Sequence, residues 1–293
     1  MKITKSTQIM NQIAISGTEY PYRPIEEIYD IAKYVGVSNL ELWIPHNFEY
    51  NQVGIIKDDL EKQKLQAICI STWTQLNLPG NVGQRQAEII RSIKAAKELG
   101  APIVNTYFGA HPDRTPQKAI QLYKENIAIC LEFAEKENIT IVLENEFDVT
   151  GVDPTRKAEN VLELVEIVNS PHFRLTFDAC NFYFAGEEPY PYAYNLLKKY
   201  IGYVHIKDGM KYHKSLYDYP GDGFLWQDMS ANYLCCEVGK GVIPYSLLIE
   251  HLIKDGYNGY YTMEPHVHPN YLKKIFMENV HNTIQILKQG ECK

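Results

Sequence analysis

The chain has 293 residues, longer than most single domains but within the range that α/β barrels reach as one domain. Its 45% apolar content supports a large core, and its formal net charge of −7 weighs against a dedicated nucleic-acid binder, which needs basic surface to neutralise phosphates. No basic-then-apolar segment opens the sequence and no apolar run approaches the roughly 18 residues of a membrane span, so the expectation is a cytoplasmic protein with reduced thiols.

Short apolar runs alternate with amphipathic stretches along the chain. The pattern predicts strands at Gln8–Ser16, Leu40–Ile44, Leu65–Trp73, Pro102–Phe108, Ile139–Asn145, Arg174–Ala179, Tyr200–Lys207 and Gly259–Glu264. Helices are predicted at Pro24–Val35, Val53–Lys64, Val82–Leu99, Pro116–Glu137, Arg156–Val168, Tyr190–Lys199, Ile243–Asp255 and Asn270–Gln289. Pro24 and Pro116 lie near helix starts, and Gly36, Gly100 and Gly256 follow helix ends, as start and stop chemistry requires. Repeated strand-then-helix units without a linker point to an α/β fold, a (β/α)8 TIM barrel spanning residues 1–293 as one domain. An open doubly wound sheet is the rival, but no Gly-rich dinucleotide turn follows the first strand. The longest irregular stretch, Asp208–Gly241, carries Tyr212, Tyr217, Tyr219, Phe224, Trp226 and Tyr233 and reads as a packed insertion covering a site. The six cysteines show no CxxC or finger spacing, and several sit in apolar runs and read as small core residues.

Four apolar runs end in a metal-competent side chain: Glu144 in IVLENE, Asp178 in LTFDACN, His205 in YVHIKDG and Glu264 in YYTMEPH. A buried run has no reason of its own to end in charge. In a barrel, the carboxyl-terminal strand ends carry the active site. Three carboxylates and an imidazole converging there would repel without a cation and suit a hard or borderline divalent ion, Mn²⁺ foremost, then Mg²⁺, Co²⁺ or Zn²⁺. Period-two alternation pairs Glu144 with Glu146, Asp178 with Cys180, His205 with Lys207 and Glu264 with His266 on shared faces.

The fragments LELW (Leu40–Trp43), VLENE (Val142–Glu146), FDACN (Phe177–Asn181), HIKD (His205–Asp208), VGKGVIPY (Val238–Tyr245) and GYNGYYTMEPH (Gly256–His266), in this order, resemble the xylose isomerase-like barrel superfamily of sugar isomerases and epimerases. The resemblance implies one divalent ion on Glu144, Asp178, His205 and Glu264, with a keto-sugar or cyclitol chelated through two oxygens. It also implies Glu144 and Glu264 as a catalytic acid/base pair that moves a proton through a metal-stabilised enediolate. Lys207, Asn181, Trp43, His46, Tyr107, His111 and Glu146 are the expected substrate-lining residues. Asn181 stands where related ketose epimerases often carry histidine, and Lys211 where some carry arginine. His266 and His268 are candidates for outer contacts, and the VGKG turn for backbone phosphate binding. The main alternative is a metal-dependent lyase of inosose- or dehydroshikimate-dehydratase type. An AP-endonuclease-type hydrolase and a non-catalytic sugar-binding subunit rank lower. No nucleic acid or membrane partner is expected; the aromatic insertion could instead serve a homo-oligomer contact.

Overall fold

Helix caps fall where the turn chemistry places them. Thr115 accepts a hydrogen bond from Lys118 N ahead of Pro116 at the start of the helix Pro116–Glu137, and Asn138 closes that helix in the left-handed conformation. Gly36 and Gly100 close two others with φ of 74° and 77°. The computed structural model describes residues 9–110, 113–147, 152–211, 225–227 and 232–290. Its strands in chain order are β1 (Ile13–Ser16), β2 (Asn39–Ile44), β3 (Gln66–Gln75), β4 (Ile103–Tyr107), β5 (Thr140–Glu144), β6 (Phe173–Asp178), β7 (Ile201–Ile206), β8 (Asp208–Lys211), β9 (Leu225–Gln227), β10 (Asn232–Cys236) and β11 (Tyr261–Met263). The α-helices are α1 (Glu26–Val35), α2 (Val53–Gln63), α3 (Val82–Leu99), α4 (Pro116–Glu137), α5 (Ala158–Val168), α6 (Ala179–Phe184), α7 (Tyr194–Leu197), α8 (Tyr245–Lys254) and α9 (Pro269–Gly290).

Eight strands close a parallel barrel in the order β1-β11-β7-β6-β5-β4-β3-β2, the expected (β/α)8 architecture. Helical faces cover its outside. The interior is layered. Ala14, Ile68, Cys69, Ile103, Val142 and Tyr203 form an apolar cluster. One pleat further along the same strands, the inward side chains turn polar: Ser71 after Cys69, Asn105 after Ile103, Glu144 after Val142 and His205 after Tyr203, all buried. Buried polar groups concentrated in one layer must satisfy one another. No helix among the described residues is long and apolar enough to cross a membrane.

Five stretches differ from expectation. β1 begins at Ile13 because residues 9 and 10 are helical, and β11 stops at Met263, which leaves Glu264 just beyond its strand. The helix expected at Tyr190–Lys199 is a π-turn at Pro189–Ala193 followed by the four-residue α7; Pro189 and Pro191 flank Tyr190 in extended geometry and bar a continuous helix. Helix α6 was not foreseen: it starts directly from Asp178, whose side chain caps it. The stretch Asp208–Gly241 is not wholly irregular, since β8, β10 and β9 form a three-stranded antiparallel sheet in that order. Tyr212, Tyr217, Tyr219 and Phe224 lie outside the described residues.

Candidate metal centre

The barrel order sets β11, β7, β6 and β5 side by side, so Glu264, His205, Asp178 and Glu144 converge. One donor atom from each lies within 4.8 Å of the others, and all four residues are buried. Asp178 and His205 are direct partners across the β6–β7 ladder. Asp178 Oδ1 accepts from Asn181 N at 2.9 Å, the cap of α6, while Asn145 exchanges two 2.9 Å hydrogen bonds with the Asp178 backbone. Glu144 is held at both oxygens. Tyr107 Oη (2.9 Å) and Asn105 Nδ2 (3.1 Å) donate to Oε2, Asn181 Nδ2 (3.2 Å) donates to Oε1, and His205 Nδ1 lies 3.1 Å from Oε1.

Charge balance inside this buried site is tight. Lys207 Nζ lies 2.9 Å from Asp178 Oδ2 and 3.3 Å from Glu264 Oε2, and His205 Nδ1 lies 3.4 Å from Glu264 Oε2. Burial opposes the ionised form of Glu264, but His205, Lys207 and His266 outweigh it and hold its carboxyl well below the usual range. Burial likewise opposes charge on His205, yet Glu144, Glu41 and Glu264 raise it well above an ordinary histidine; Asp178, Glu264 and Glu144 do the same for Lys207. Burial dominates at Asp178 and Glu146, next to Glu144, and raises both carboxyls.

The donor set fits a divalent cation. Three carboxylates and one imidazole nitrogen face a common point, and Asp178 Oδ2, though near Lys207 Nζ, has no hydrogen bond of good geometry.

A cavity of about 500 Å³ opens onto the cluster, in the roughly 300–1,000 Å³ range of small-molecule sites. Glu144, Glu146, Asn181, Lys207, Glu264, Trp43 and Tyr107 line it, as does His266. His46 stacks on Trp43 with its ring 6.0 Å away and is not among the lining residues. His111 lies outside the described residues. Alternation also fails for Cys180, which belongs to α6 and is buried away from the cavity. His266, in the left-handed region at φ 47°, reaches Glu264 Oε2 at 3.5 Å and is held by Glu19, which accepts from its backbone N at 2.7 Å. His268 accepts from Asn270 N at 3.2 Å near the start of α9 and does not line the cavity. Lys211 is exposed on β8, and no described residue of the 208–241 stretch lines the cavity.

Sequence reasoning missed several participants. Trp73, 52% exposed, joins Tyr107 (4.8 Å between rings) and Trp43 (5.6 Å) in an aromatic wall. Glu41 and Asn105 are buried polar residues inside NLELWI and IVNTY, the same signal that marked the strand ends, but in mid-strand. The VGKG turn has no backbone N–H groups spare for phosphate. Gly239, Gly241 and Ile243 donate to the Asp208 carboxylate at 2.8, 3.1 and 3.2 Å, and Gly209 adds a fourth bond at 2.8 Å. Burial pushes the Asp208 carboxyl up to about 6 against the pull of these donors.

A closed parallel barrel with a buried carboxylate–imidazole cluster at the carboxyl ends of its strands defines a barrel protein with a metal-competent site. The chain belongs to the xylose isomerase-like TIM barrel family, whose sequence profile matches residues 29–285. A probable endonuclease 4 of Mycoplasma mobile is 25% identical over 162 residues, 55% of this chain; the match spans about half (53%) of that relative's length. Among solved structures, a xylose isomerase-like TIM barrel protein from Mycobacterium smegmatis in complex with magnesium superposes with a TM-score of 0.77 at 15% identity, covering 97% of this chain and 98% of that one. A D-tagatose 3-epimerase-like protein gives 0.73 at 17% identity, covering 95% and 98%. The probable 3-DHS dehydratase AsbF of Bacillus anthracis gives 0.71 at 16% identity, covering 94% and 98%. At these identities the likeness concerns the fold.

Proposed function

We propose that the protein is a divalent-cation-dependent isomerase or epimerase that moves a proton next to the carbonyl of a keto-sugar or cyclitol. The observation that carries this reading is the buried quartet of Glu144, Asp178, His205 and Glu264 at the floor of an aromatic-walled cavity. A divalent cation held by these four residues would supply Lewis-acid polarisation of a substrate oxygen, with Mn²⁺ the favoured ion. Glu144 ends β5 and Glu264 directly follows β11, the two outer strands of the four-strand arc, with Asp178 and His205 between them. That arrangement suits a carboxylate on each side of a bound substrate, one to take a proton and the other to return it. Tyr107 and Asn105 orient Glu144, while Lys207, His205 and His266 keep Glu264 ionised and ready to accept. Trp43, Trp73 and Tyr107 offer ring faces to the apolar side of a sugar and exclude water. Asn181, Glu146 and Lys207 supply polar contacts to substrate hydroxyls.

Lys207 favours a second reading, a dehydratase. Its ammonium, buried between Asp178 and Glu264, is placed to give a proton to a departing hydroxyl, and one structural neighbour is a probable 3-DHS dehydratase. An endonuclease is disfavoured. That chemistry uses several metals with further histidines and a basic DNA face, whereas among the described residues this quartet is the one metal-competent group and the net charge is −7.

The deciding experiment supplies Mn²⁺- or Mg²⁺-reconstituted protein with keto-sugars and keto-cyclitols in deuterated water and follows them by NMR. Deuterium at the carbon next to the carbonyl with inverted or isomerised product supports the proposal. Loss of water favours the dehydratase, and no ion-dependent turnover of any substrate sinks both.

A further inference from the structure

Below the quartet, inside the barrel, lies a fourth acid that none of the proton-transfer steps uses. Glu41, on β2, is completely buried. Such a group is strongly destabilising unless its charge and lone pairs are all met. Ser71 Oγ on β3 donates to its Oε1. Tyr203 Oη on β7 donates to Oε2 at 3.1 Å, and His205 Nε2 sits 3.0 Å from the same oxygen. The Tyr203 hydroxyl accepts from Thr262 Oγ1 at 2.6 Å, so its single hydrogen is committed to Glu41.

A carboxylate only accepts, so Glu41 is set to take a hydrogen bond from His205 Nε2; a cation among the quartet would displace hydrogen from Nδ1 and leave the Nε2 hydrogen in place. His205 is thus gripped from two sides. Glu41 holds Nε2 from below, while Nδ1 faces Glu144 Oε1 at 3.1 Å and Glu264 Oε2 at 3.4 Å above. With no lower carboxylate, the upper pair would draw the hydrogen to Nδ1, and the ring would enter the site as a donor.

We propose that Glu41 is a positioning residue that fixes the hydrogen of His205 on Nε2 and turns the Nδ1 lone pair into the quartet, so that the histidine serves as a cation ligand. Ser71, Tyr203 and Thr262 hold Glu41 in place. The inference rests on the reading above that a divalent cation binds the quartet. Outer carboxylates that orient a ligating imidazole change metal affinity by about 10–100-fold when removed, which sets the expected effect.

The test measures Mn²⁺ binding alone, by electron paramagnetic resonance titration, without substrate. Glu41→Gln is expected to weaken Mn²⁺ binding by about 10–100-fold. Ser71→Ala, which frees Oε1 but leaves the charge, is expected to weaken it only a few-fold. In the Mg²⁺-loaded wild type, ¹⁵N NMR of the histidines should show His205 with hydrogen on Nε2 and none on Nδ1. Folded Glu41→Gln that binds Mn²⁺ as tightly as wild type overturns the inference, as does hydrogen on Nδ1 in the Mg²⁺ complex. If Glu41→Gln fails to fold, the NMR measurement decides alone. Wild type that binds no Mn²⁺ overturns the cation reading itself, a separate outcome.

Discussion

Glu144 takes part in more contacts than a ligand alone would need. Asn105 and Tyr107 on the neighbouring strand fix one oxygen, and Thr176 Oγ1 in turn donates to Asn105 Oδ1 at 2.7 Å, so the carboxylate is oriented by a chain of buried groups. Tyr107→Phe removes one donor without opening a cavity. It is expected to lower kcat by about tenfold, the scale of one lost hydrogen bond to a charged group, with the melting curve little changed. Glu264→Gln keeps the shape but cannot take up a proton, and the expected result is loss of deuterium incorporation into substrate; wild-type exchange in this variant would remove Glu264 from the acid/base pair. Asp208 works as an internal anion for the turn that follows β10. Asn in its place offers one acceptor and brings an N–H₂ group towards backbone donors. Asp208→Asn should therefore cost about 1–3 kcal/mol of stability, measurable by denaturant unfolding.

The three-stranded sheet after β7 shows how far an element's partners can lie from it. β8 pairs with β10 through Tyr233–Lys211 and Cys236–Asp208, across the intervening stretch, while β9 pairs with β10 as its neighbour in the chain. Composition there suggested a loop because the β8–β10 pairing is non-local. Tyr233 packs its ring 4.7 Å from Phe184 of α6, so the sheet leans on the helix that Asp178 caps. Gly241 is required where the VGKG turn closes on Asp208: a Cβ there would stand 2.0 Å from Asp208 Oδ1 and 2.6 Å from Gly209 O. Gly241→Ala is expected to destabilise by about 2 kcal/mol or more, read as a lowered denaturation midpoint. The helices were more legible. α1, α3 and α4 begin and end within about two residues of the positions that capping and apolar spacing indicate, because those signals are local. Prolines near Tyr190 carried an equally local warning that the 3.6-residue spacing masked.

For the whole molecule, a cation bound by the quartet would be linked to folding. Among the groups of the site, His205 has its folded pKa raised, so the stability it contributes to the metal-free protein is present below the ordinary histidine range and is lost as pH rises through the raised value. Asp178, also raised, has the same sign, while Glu264, lowered, contributes above the ordinary carboxylate range and loses that contribution only in acid. Protons and a bound cation would compete for these atoms. The metal-free protein should therefore lose stability as pH climbs past the histidine range, whereas the rise in Tm on adding Mn²⁺ should grow over the same interval. A saturating ion at about 100 times its Kd would add about 2.7 kcal/mol; thermal melts with Mn²⁺ and with a chelator across pH check both slopes.

Alternation of apolar runs with amphipathic stretches was enough to indicate the barrel, since each strand and helix answers to its own few residues. Charge at the end of four buried runs was enough to pick out Glu144, Asp178, His205 and Glu264, because burial makes an acid or imidazole conspicuous wherever it falls. Only closure of the barrel decided which nitrogen of His205 faces the quartet, that Lys207 lies between Asp178 and Glu264, and that Asp208 takes up the N–H groups of the VGKG turn. Each of these depends on angles and distances between strands far apart in the chain, and hydrogen bonds and ion pairs are set by such geometry rather than by residue type.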